Sequence, residues 1–224
     1  MATAPHPQEP AIGTASPGPE SEGGAPSAAS PGKVPRTARG RETMRRLLDA
    51  AAQEFGERGF HEASVSGITR RAGTALGSFY TYFDSKDAIF SALVRDMSAG
   101  VARAAAAGVS PGSTGIRRES EALAGFLAFA RQHKELYRII DEAEFADPAS
   151  YRAHYEGTAA RIKARFDESV ASGAMTPGDN EVRAWAVMGM NVFLGLRFGI
   201  WGEERAVADV AAEAAALLRD GVGG

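Results

Sequence analysis

The sequence predicts an all-α protein with an N-terminal three-helix domain that contains a helix-turn-helix, and a larger helical domain behind it. Three observations lead to this fold class. Apolar residues recur at helical spacing from about residue 40 onward. Capping residues and glycines separate the apolar segments. No segment shows sustained strand alternation with hairpin turns.

The first 38 residues differ in composition from the rest. They hold eight of the eleven prolines and otherwise consist mainly of Ala, Gly and Ser. With so few large apolar side chains to bury, this segment does not offset the entropy it would lose on ordering. We therefore predict a disordered tail. The chain therefore divides into a tail (1–38), a helix-turn-helix domain (39–100) and a larger helical domain (101–224).

The first predicted helix covers about 40–59. Its apolar residues fall on one helical face: Met44, Leu47, Leu48, Ala51, Ala52 and Phe55. Gly59 is expected to take the left-handed conformation that ends helices.

Two short helices and a long one follow. Ser64 suits an N-cap, Gly73 ends the second helix, and the third covers about 75–82. Asp84 or Ser85 caps the fourth. Later helices are predicted at about 116–132, 134–143, 148–172, 180–201 and 204–219, about nine in all.

Composition excludes several classes of protein. The 224 residues include no cysteine, so disulfides and thiolate zinc sites are ruled out, and we expect a cytoplasmic protein associated with the nucleoid. No positive patch followed by an apolar run marks a secretory signal. The apolar run 184–201 contains Asn191 and Arg197, so we interpret it as a buried central helix and expect no membrane partner.

The charge is uneven along the chain. The formal net charge is −3, yet residues 33–100 carry eleven basic residues against eight acidic ones. Residues 33–46 carry six basic residues against one acid. An anionic partner is therefore expected at this segment.

The helix-turn-helix predicts which side chains face a DNA partner, because its second helix enters the major groove. Phe79 and Phe83 lie four residues apart and are expected to anchor this helix to the core. Tyr80 and Thr81 lie on another face and point outward, and Ser78 lies near the helix start.

Residues near both ends of this second helix, and at the starts of the neighbouring helices, suit contacts with the DNA backbone. Gly77 has no Cβ and allows close approach, which offsets its cost of about 1 kcal/mol in a helix. The hydroxyl of Tyr82 is expected to reach a phosphate while its ring packs. Lys86 begins the next helix, where ammonium and backbone N–H groups can bind a phosphate together. Ser64 is a further candidate contact.

The segments "LLDAAAQEFGERGF", "SVSGITRRAG" and "GSFYTYFDSKDAIF" resemble the DNA-binding domain of the TetR/AcrR family of bacterial transcriptional regulators. The resemblance covers about 55 of the 224 residues. It implies an Ω-shaped homodimer whose C-terminal domain binds a small molecule and dimerises.

The resemblance also assigns roles to residues. It implies phosphate contacts at Ser78, Tyr82 and Lys86. It implies groove contacts at Leu76, Gly77, Tyr80 and Thr81. The sequence departs from the family at Ala75, which cannot cap the third helix, and at Leu76, which replaces a basic residue; Thr74 would cap one residue early.

The basic arm of Lys33, Arg36, Arg39 and Arg41 has two interpretations. It lies along phosphates or in a minor groove, as some arms in the family do, or it only solubilises the chain. Arg39 and Arg41 are included among the candidate DNA contacts.

The larger domain offers a candidate dimer interface and a candidate pocket. Gly189, Gly195 and Gly199 would allow close approach of the 184–201 helix to another helix, and one face of the last helix is apolar: Val207, Val210, Ala211, Ala214, Leu217 and Leu218. Two such helices from each subunit would form a four-helix bundle, unless both are buried within the subunit.

Pocket candidates are apolar or aromatic residues of the larger domain, together with two polar ones in an apolar helix: Phe126, Phe129, Tyr137, Tyr155, Trp185, Met188, Asn191 and Arg197. Many of them are expected to be ordinary core, since a pocket and a core look alike in sequence. Asn191 and Arg197 need a partner, either a ligand or a carboxylate such as Glu142 or Glu144.

The sequence thus predicts a dimeric, ligand-responsive transcriptional regulator, a repressor that binds a palindromic DNA operator and is released by a small-molecule effector. No nucleophile–base pair, phosphate-binding glycine loop or metal-ligand spacing is present, so no enzyme, metal or cofactor is expected. Two alternatives stay open: a helical ligand-binding or interaction protein, and an activator of the same family without effector-driven release.

Overall fold

The computed structural model describes residues 35–221, and this part of the chain consists of nine α-helices and one π-helical turn, without β-strands. The helices are α1 (Ala38–Glu62), α2 (Val65–Ala72), α3 (Leu76–Tyr82), α4 (Lys86–Gly108), α5 (Gly115–Gln132), α6 (Leu136–Ala146), α7 (Pro148–Ala171), α8 (Asn180–Gly195) and α9 (Val207–Asp220). The π-helical turn Leu196–Trp201 continues α8. The predicted all-α class is confirmed. Most of the predicted tail, with Lys33, lies outside the described residues.

The predicted caps are confirmed for α2 but not for α1. Gly59 has φ 78° and ψ 168°, outside the left-handed helical region, and one further turn follows before α1 ends at Glu62, so the predicted end at Gly59 is a kink. Ser64 caps α2 by accepting a hydrogen bond from the N–H of Gly67 at 3.0 Å. Gly73 ends α2 in the left-handed conformation, with φ 61° and ψ 38°. These turns set α3 across α2 as a helix-turn-helix.

Two further caps lie at the starts of α3 and α4. Ala75 is the N-cap of α3 and makes no side-chain hydrogen bond, so the alternative cap at Thr74 is not used. Of the two candidates for α4, Ser85 is the cap, and it accepts from the N–H of Ala88 at 3.0 Å.

Aromatic side chains form the centre of the N-terminal domain. Phe79 and Phe83 of the third-helix region are 0% and 1% exposed, which confirms the predicted anchor. Phe55 of α1 packs edge-on against Phe90 of α4, with 5.0 Å between ring centroids. The core therefore holds α3 against α1 and α4.

A buried ion pair holds α2 against α1. The carboxylate of Glu54 is fully buried, and Arg71 of α2 donates from Nε to its Oε2 at 2.7 Å. Arg58 lies 3.4 Å from Oε1. Gly67 of α2 lies directly over this carboxylate, where a Cβ would overlap it. The orientation of α2 thus depends on a charge that has partners although it is removed from water.

The larger domain packs around α5 and α7. Leu123 and Leu127 of α5 pack against α9, and Ile162 and Phe166 of α7 pack against α8. α4 is one continuous helix from the N-terminal core into this domain, so it crosses the predicted boundary at residue 100. The positions of the domain boundaries stay predictions.

Part of the surface predicted to form the dimer interface instead packs against other helices of the same subunit. The apolar face of α9, including Val210 and Ala211, packs on α5. Gly199 lies against Ala130 of α5, and a Cβ on it would lie 3.1 Å from the Cβ of Ala130. Gly189 alone of the three predicted glycines has open space where its Cβ would be.

The segment Asn180–Trp201 is long and apolar enough to cross a membrane by length and composition, and 28% of its most apolar window is buried. The interpretation of a buried central helix is therefore wrong for the isolated subunit. Val182, Trp185 and Phe193 are 64%, 44% and 71% exposed. With Gly189 they form one stripe along α8, which we call the α8 stripe.

Candidate nucleic-acid interface and internal cavity

The outer surface of α3 carries the predicted groove contacts. Leu76 and Tyr80 are 51% and 49% exposed, and Gly77 and Thr81 are exposed beside them. No heavy atom lies within 4 Å of the position of a Cβ on Gly77. A partner's backbone can therefore approach this turn of α3 closely.

A polar cleft separates the first turns of α1 from α3. Its lining consists of hydroxyl groups, small residues and two arginines: Thr37, Arg39, Gly40, Thr43, Arg46, Gly73, Thr74, Ala75, Ser78, Thr81 and Tyr82. No carboxylate lines the cleft, and neither arginine forms an ion pair within residues 35–221. The Oγ1 atom of Thr74 is buried and has no hydrogen-bond partner among the described residues.

The cleft also contains the N-terminal end of α1. Thr37 caps this helix and accepts from the N–H of Gly40 at 3.1 Å. A helix N-terminus carries partial positive charge and free N–H groups, and hydroxyls and arginines supply further donors. The arrangement suits a phosphate group of a DNA backbone that passes from α1 to α3.

Some predicted contacts lie elsewhere. The Oγ of Ser64 is engaged in capping α2, and Arg41 is exposed but outside the cleft. Lys86 donates from its ammonium to three backbone carbonyls near the end of α1, those of Phe60 at 2.7 Å and of His61 and Ala63 at 3.1 Å. All three of its donors are thus used within the subunit, and a phosphate contact by Lys86 stays a prediction.

Sequence reasoning missed Arg46, Thr43, Thr74 and Thr37 as cleft residues. Arg46 belongs to the basic run 33–46, so its charge was a signal. The hydroxyl residues gave no signal, because they come together only when α1 packs beside the helix-turn-helix.

A cavity of about 540 Å³ lies between α4, α5, α6, α7 and α8 of the larger domain and opens to solvent where the exposed residues Ser110, Pro111 and Arg161 line it. Five of the eight predicted pocket residues line it: Phe126, Tyr137, Tyr155, Met188 and Asn191. Phe129 instead packs against α4 at Gly100, where a Cβ would lie 2.7 Å from its ring. Trp185 belongs to the α8 stripe, and Arg197 forms an ion pair with Glu204 rather than with Glu142 or Glu144.

Most polar groups deep in the cavity wall have partners inside the protein. Tyr137 donates from its hydroxyl to the carbonyl of Val192 at 2.5 Å, and burial raises its pKa above the ordinary value. Burial also raises the pKa of Tyr155 to about 12. The Oδ1 atom of Asn191 is an exception, since it is buried and accepts no hydrogen bond from the described residues.

His154 lines the cavity as a neutral imidazole. Its Nδ1 lies 2.7 Å from the Oγ of Ser98, and Ser98 donates its single proton to the carbonyl of Val94 at 2.7 Å. Nδ1 must therefore carry the proton, and Nε2 is an acceptor. Burial, together with the nearby charge of Arg161, lowers the pKa of His154 to about 4.

Three arginines line the cavity and no acidic residue does: Arg118, Arg161 and Arg165. None of them was predicted, because arginines on amphipathic helices are usually solvated. Among the described residues, no group of three His, Asp or Glu side chains is arranged to hold a metal ion.

Comparisons with known proteins agree with the predicted resemblance. Residues 47–93 match the family model described as bacterial regulatory proteins, tetR family, which confirms the resemblance of the N-terminal region. The uncharacterized HTH-type transcriptional regulator YdgC of Bacillus subtilis is 55% identical over 58 residues, which are 26% of this chain and 30% of that protein. The chain therefore matches less than a third of this relative's length.

Solved structures are similar over most of the chain. The transcriptional regulator FadR from Bacillus subtilis, in complex with stearoyl-CoA, is 18% identical with a TM-score of 0.69, over 80% of this chain and 99% of that one. A TetR-like transcriptional regulator from Rhodococcus sp. RHA1 is 25% identical with a TM-score of 0.63, over 83% and 97%. The larger helical domain thus shares its fold with such regulators.

The neutral state of His154 predicts a pH-dependent stability. The pKa is about 4 in the folded protein against 6.5 for the free side chain, so the unfolded chain binds this proton more readily. Stability from this group is present above pH 6.5 and lost as the pH falls, by about 2 kcal/mol between pH 7 and pH 5. Urea unfolding at both pH values measures it.

His154→Asn is the matched control, since its amide can donate to Ser98 but does not titrate. The free energy of unfolding of this variant should fall less between pH 7 and pH 5 than that of the wild type. The same fall in both proteins would contradict the assignment.

Proposed function

Because residues 47–93 match the family model of bacterial regulatory proteins, tetR family, we propose that the chain is a DNA-binding transcriptional regulator that responds to a small molecule. It acts as a repressor, binds a palindromic operator as a homodimer and is released by an effector. The observation that carries the DNA-binding role is the acid-free cleft with Arg39 and Arg46 beside the exposed face of α3. The cytoplasm, at the nucleoid, is its proposed location.

DNA binding divides between two surfaces. Tyr80 and Thr81 read base edges in the major groove, and Leu76 contacts apolar groups such as thymine methyls. The cleft of α1 and α3 binds the phosphate backbone and sets the register of α3 in the groove. Arg39 and Arg46 supply the charge, and Ser78 and Tyr82 supply hydroxyl donors.

Arg46 tests the phosphate cleft. Arg46→Gln should weaken binding to a DNA duplex selected from a random pool. It should also reduce the slope of log K against log salt by about 0.9 for each phosphate that the variant no longer neutralises. Binding is measured by fluorescence anisotropy from 50 to 300 mM salt, about the range in which such slopes are read.

Arg103→Gln, an exposed arginine of α4 in the larger domain, is the control. An unchanged slope for Arg46→Gln would remove Arg46 from the phosphate contacts. Failure to select any duplex at low salt would favour the alternative of a ligand-binding or interaction protein. Lys86→Ala is a poor probe, because it also removes three hydrogen bonds from the end of α1.

The α8 stripe supports a homodimer. It exposes Val182, Trp185 and Phe193 on one side of a helix, with Gly189 between them. A second copy would cover this apolar surface by an isologous contact of two α8 helices. Dimerisation would also set the distance between the two α3 helices, which must be about 34–36 Å to reach successive major grooves.

Trp185→Glu should therefore shift the protein from dimer to monomer in sedimentation velocity, because a charge would be buried without a partner at the interface. Phe145→Glu is the control: Phe145 is 83% exposed on α6, away from the stripe. A dimer that persists in Trp185→Glu and dissociates in Phe145→Glu would place the interface elsewhere.

Two helices link the cavity with the DNA-binding domain. α4 starts in the N-terminal core, and its second half lines the cavity at Ala102 and Ala105. α6 lines the cavity with Tyr137, while its opposite side binds the end of α1. There Arg138 donates to the carbonyls of Gly56 and Glu57 at 2.9 and 3.1 Å.

The contact of α6 with α1 is completed by Glu142. Its Oε2 accepts from the N–H of Phe60 at 2.5 Å, and Arg138 lies 3.2 Å from its Oε1. Gly56 has no Cβ, and one would lie 2.6 Å from the Cβ of Glu135. A shift of α6 by a bound ligand would therefore displace α1, and the separation of the α3 helices with it.

A cavity-filling substitution tests this coupling without knowledge of the effector. Ala105→Phe should mimic occupancy and weaken DNA binding by at least about fivefold. Ala107→Phe, on the exposed side of the same helix, should not. Adding Arg138→Ala should reduce the effect of Ala105→Phe. Equal affinities for Ala105→Phe and wild type would favour a regulator without effector-driven release.

A further inference from the structure

The cavity has one charged wall and otherwise apolar walls. Its apolar lining comes from all five helices: Val101, Phe126, Leu136, Ile140, Ile162 and Met188. The charged wall consists of Arg118 from the start of α5 and of Arg161 and Arg165 from the second half of α7. A ligand that fills this space meets apolar groups on most sides and cationic groups on one.

Two of the three arginines have carboxylate partners that do not line the cavity. Arg165 binds both oxygens of Glu119, at 2.7 and 2.6 Å, and Arg118 lies 2.6 Å from Glu168. These pairs hold the two guanidinium groups in place, as bidentate or charge-assisted contacts do. Their charge is largely balanced without a ligand.

Arg161 has no carboxylate partner within residues 35–221. Its guanidinium donates to the Oγ1 of Thr158 at 3.0 Å. Arg161 is an exposed residue, yet partial burial and the like charge of Arg165 lower its pKa, so its present surroundings disfavour the charge. An anion at this place would relieve the repulsion and use the free donors.

Other ligand classes fit less well. A cation would face three arginines and no acid. A neutral apolar molecule would cover part of the Arg161 guanidinium without giving it an anionic partner. Tyr137 and His154 already have hydrogen-bond partners, and the Oδ1 atom of Asn191 is a buried acceptor without a partner among the described residues, in an otherwise mainly apolar interior.

We propose that the effector is an amphiphilic anion whose carboxylate or phosphate group is bound by Arg161 and whose apolar body fills the cavity. The inference rests on the proposed function only in that the bound molecule is the effector. The arginines and apolar side chains of the cavity wall support the binding site itself. Recognition of the acidic group separates this ligand from neutral molecules of the same length.

An eight-carbon series tests the proposal by calorimetry on the full chain, with octanoate, octyl phosphate, octanol and octylamine as ligands. At least one of the two anions should bind about tenfold tighter than octanol, since only an anion forms a charge-assisted hydrogen bond with the guanidinium. The tighter of the two identifies the acidic group. Octylamine should bind most weakly.

Variants of α7 assign the effect to Arg161. Arg161→Gln should remove the preference for the anion over octanol, while Arg161→Lys, which keeps the charge, should retain most of it. Lys163→Gln is the control, because Lys163 pairs with Asp167 on the same helix and does not line the cavity. Circular dichroism verifies that each variant is folded.

Three results would overturn the proposal: neither anion binds, octanol binds as tightly as both anions, or Arg161→Gln keeps the anion preference. Operator binding is measured separately with and without the tighter anion. Anion binding through Arg161 without release of DNA would support the site and contradict the proposed function. Release of DNA by octanol but not by either anion would support the proposed function and contradict the anion site.

Discussion

The end of α1 is the point on which the arrangement of the two domains depends. Gly59 turns the backbone there with φ 78°, and carbonyl groups on both sides of it accept hydrogen bonds from other helices. Lys86 of α4 and Arg138 of α6 donate to these carbonyls, and Glu142 accepts from the N–H of Phe60. Cations at a helix C-terminus are favoured by the helix dipole. Three helices thus meet at one set of backbone groups.

This junction connects the two candidate sites through packed helices. α1 extends from the cleft at its start to the contact with α6 at its end, and α6 lines the cavity. α4, which joins the N-terminal core to the cavity, is a second link. The buried Glu54–Arg71 pair transfers the position of α1 to α2, and the aromatic core around Phe79 transfers it to α3. A connected set of packed groups therefore extends from the cavity to the exposed face of α3.

The helix-turn-helix domain was predictable because its signals are local. Ser64, Gly73 and Ser85 act as caps or turns within a few residues of their partners, so their roles follow from order along the chain. Lys86 shows the limit of such reasoning. Its position at the start of α4 suggested a phosphate contact, yet its ammonium binds carbonyls more than twenty residues earlier in sequence.

The sequence by itself determined the all-α class, the approximate positions of the helices, the anchor of Phe79 and Phe83 and the resemblance of the N-terminal domain, since periodicity and caps act over one or two turns. Only the tertiary structure decided which apolar faces are paired. It turned the face of α9 inward, left the α8 stripe open and gathered Arg161 with two other arginines around one cavity. Such groupings join residues tens of positions apart, and their cause is packing between helices, which no local pattern encodes.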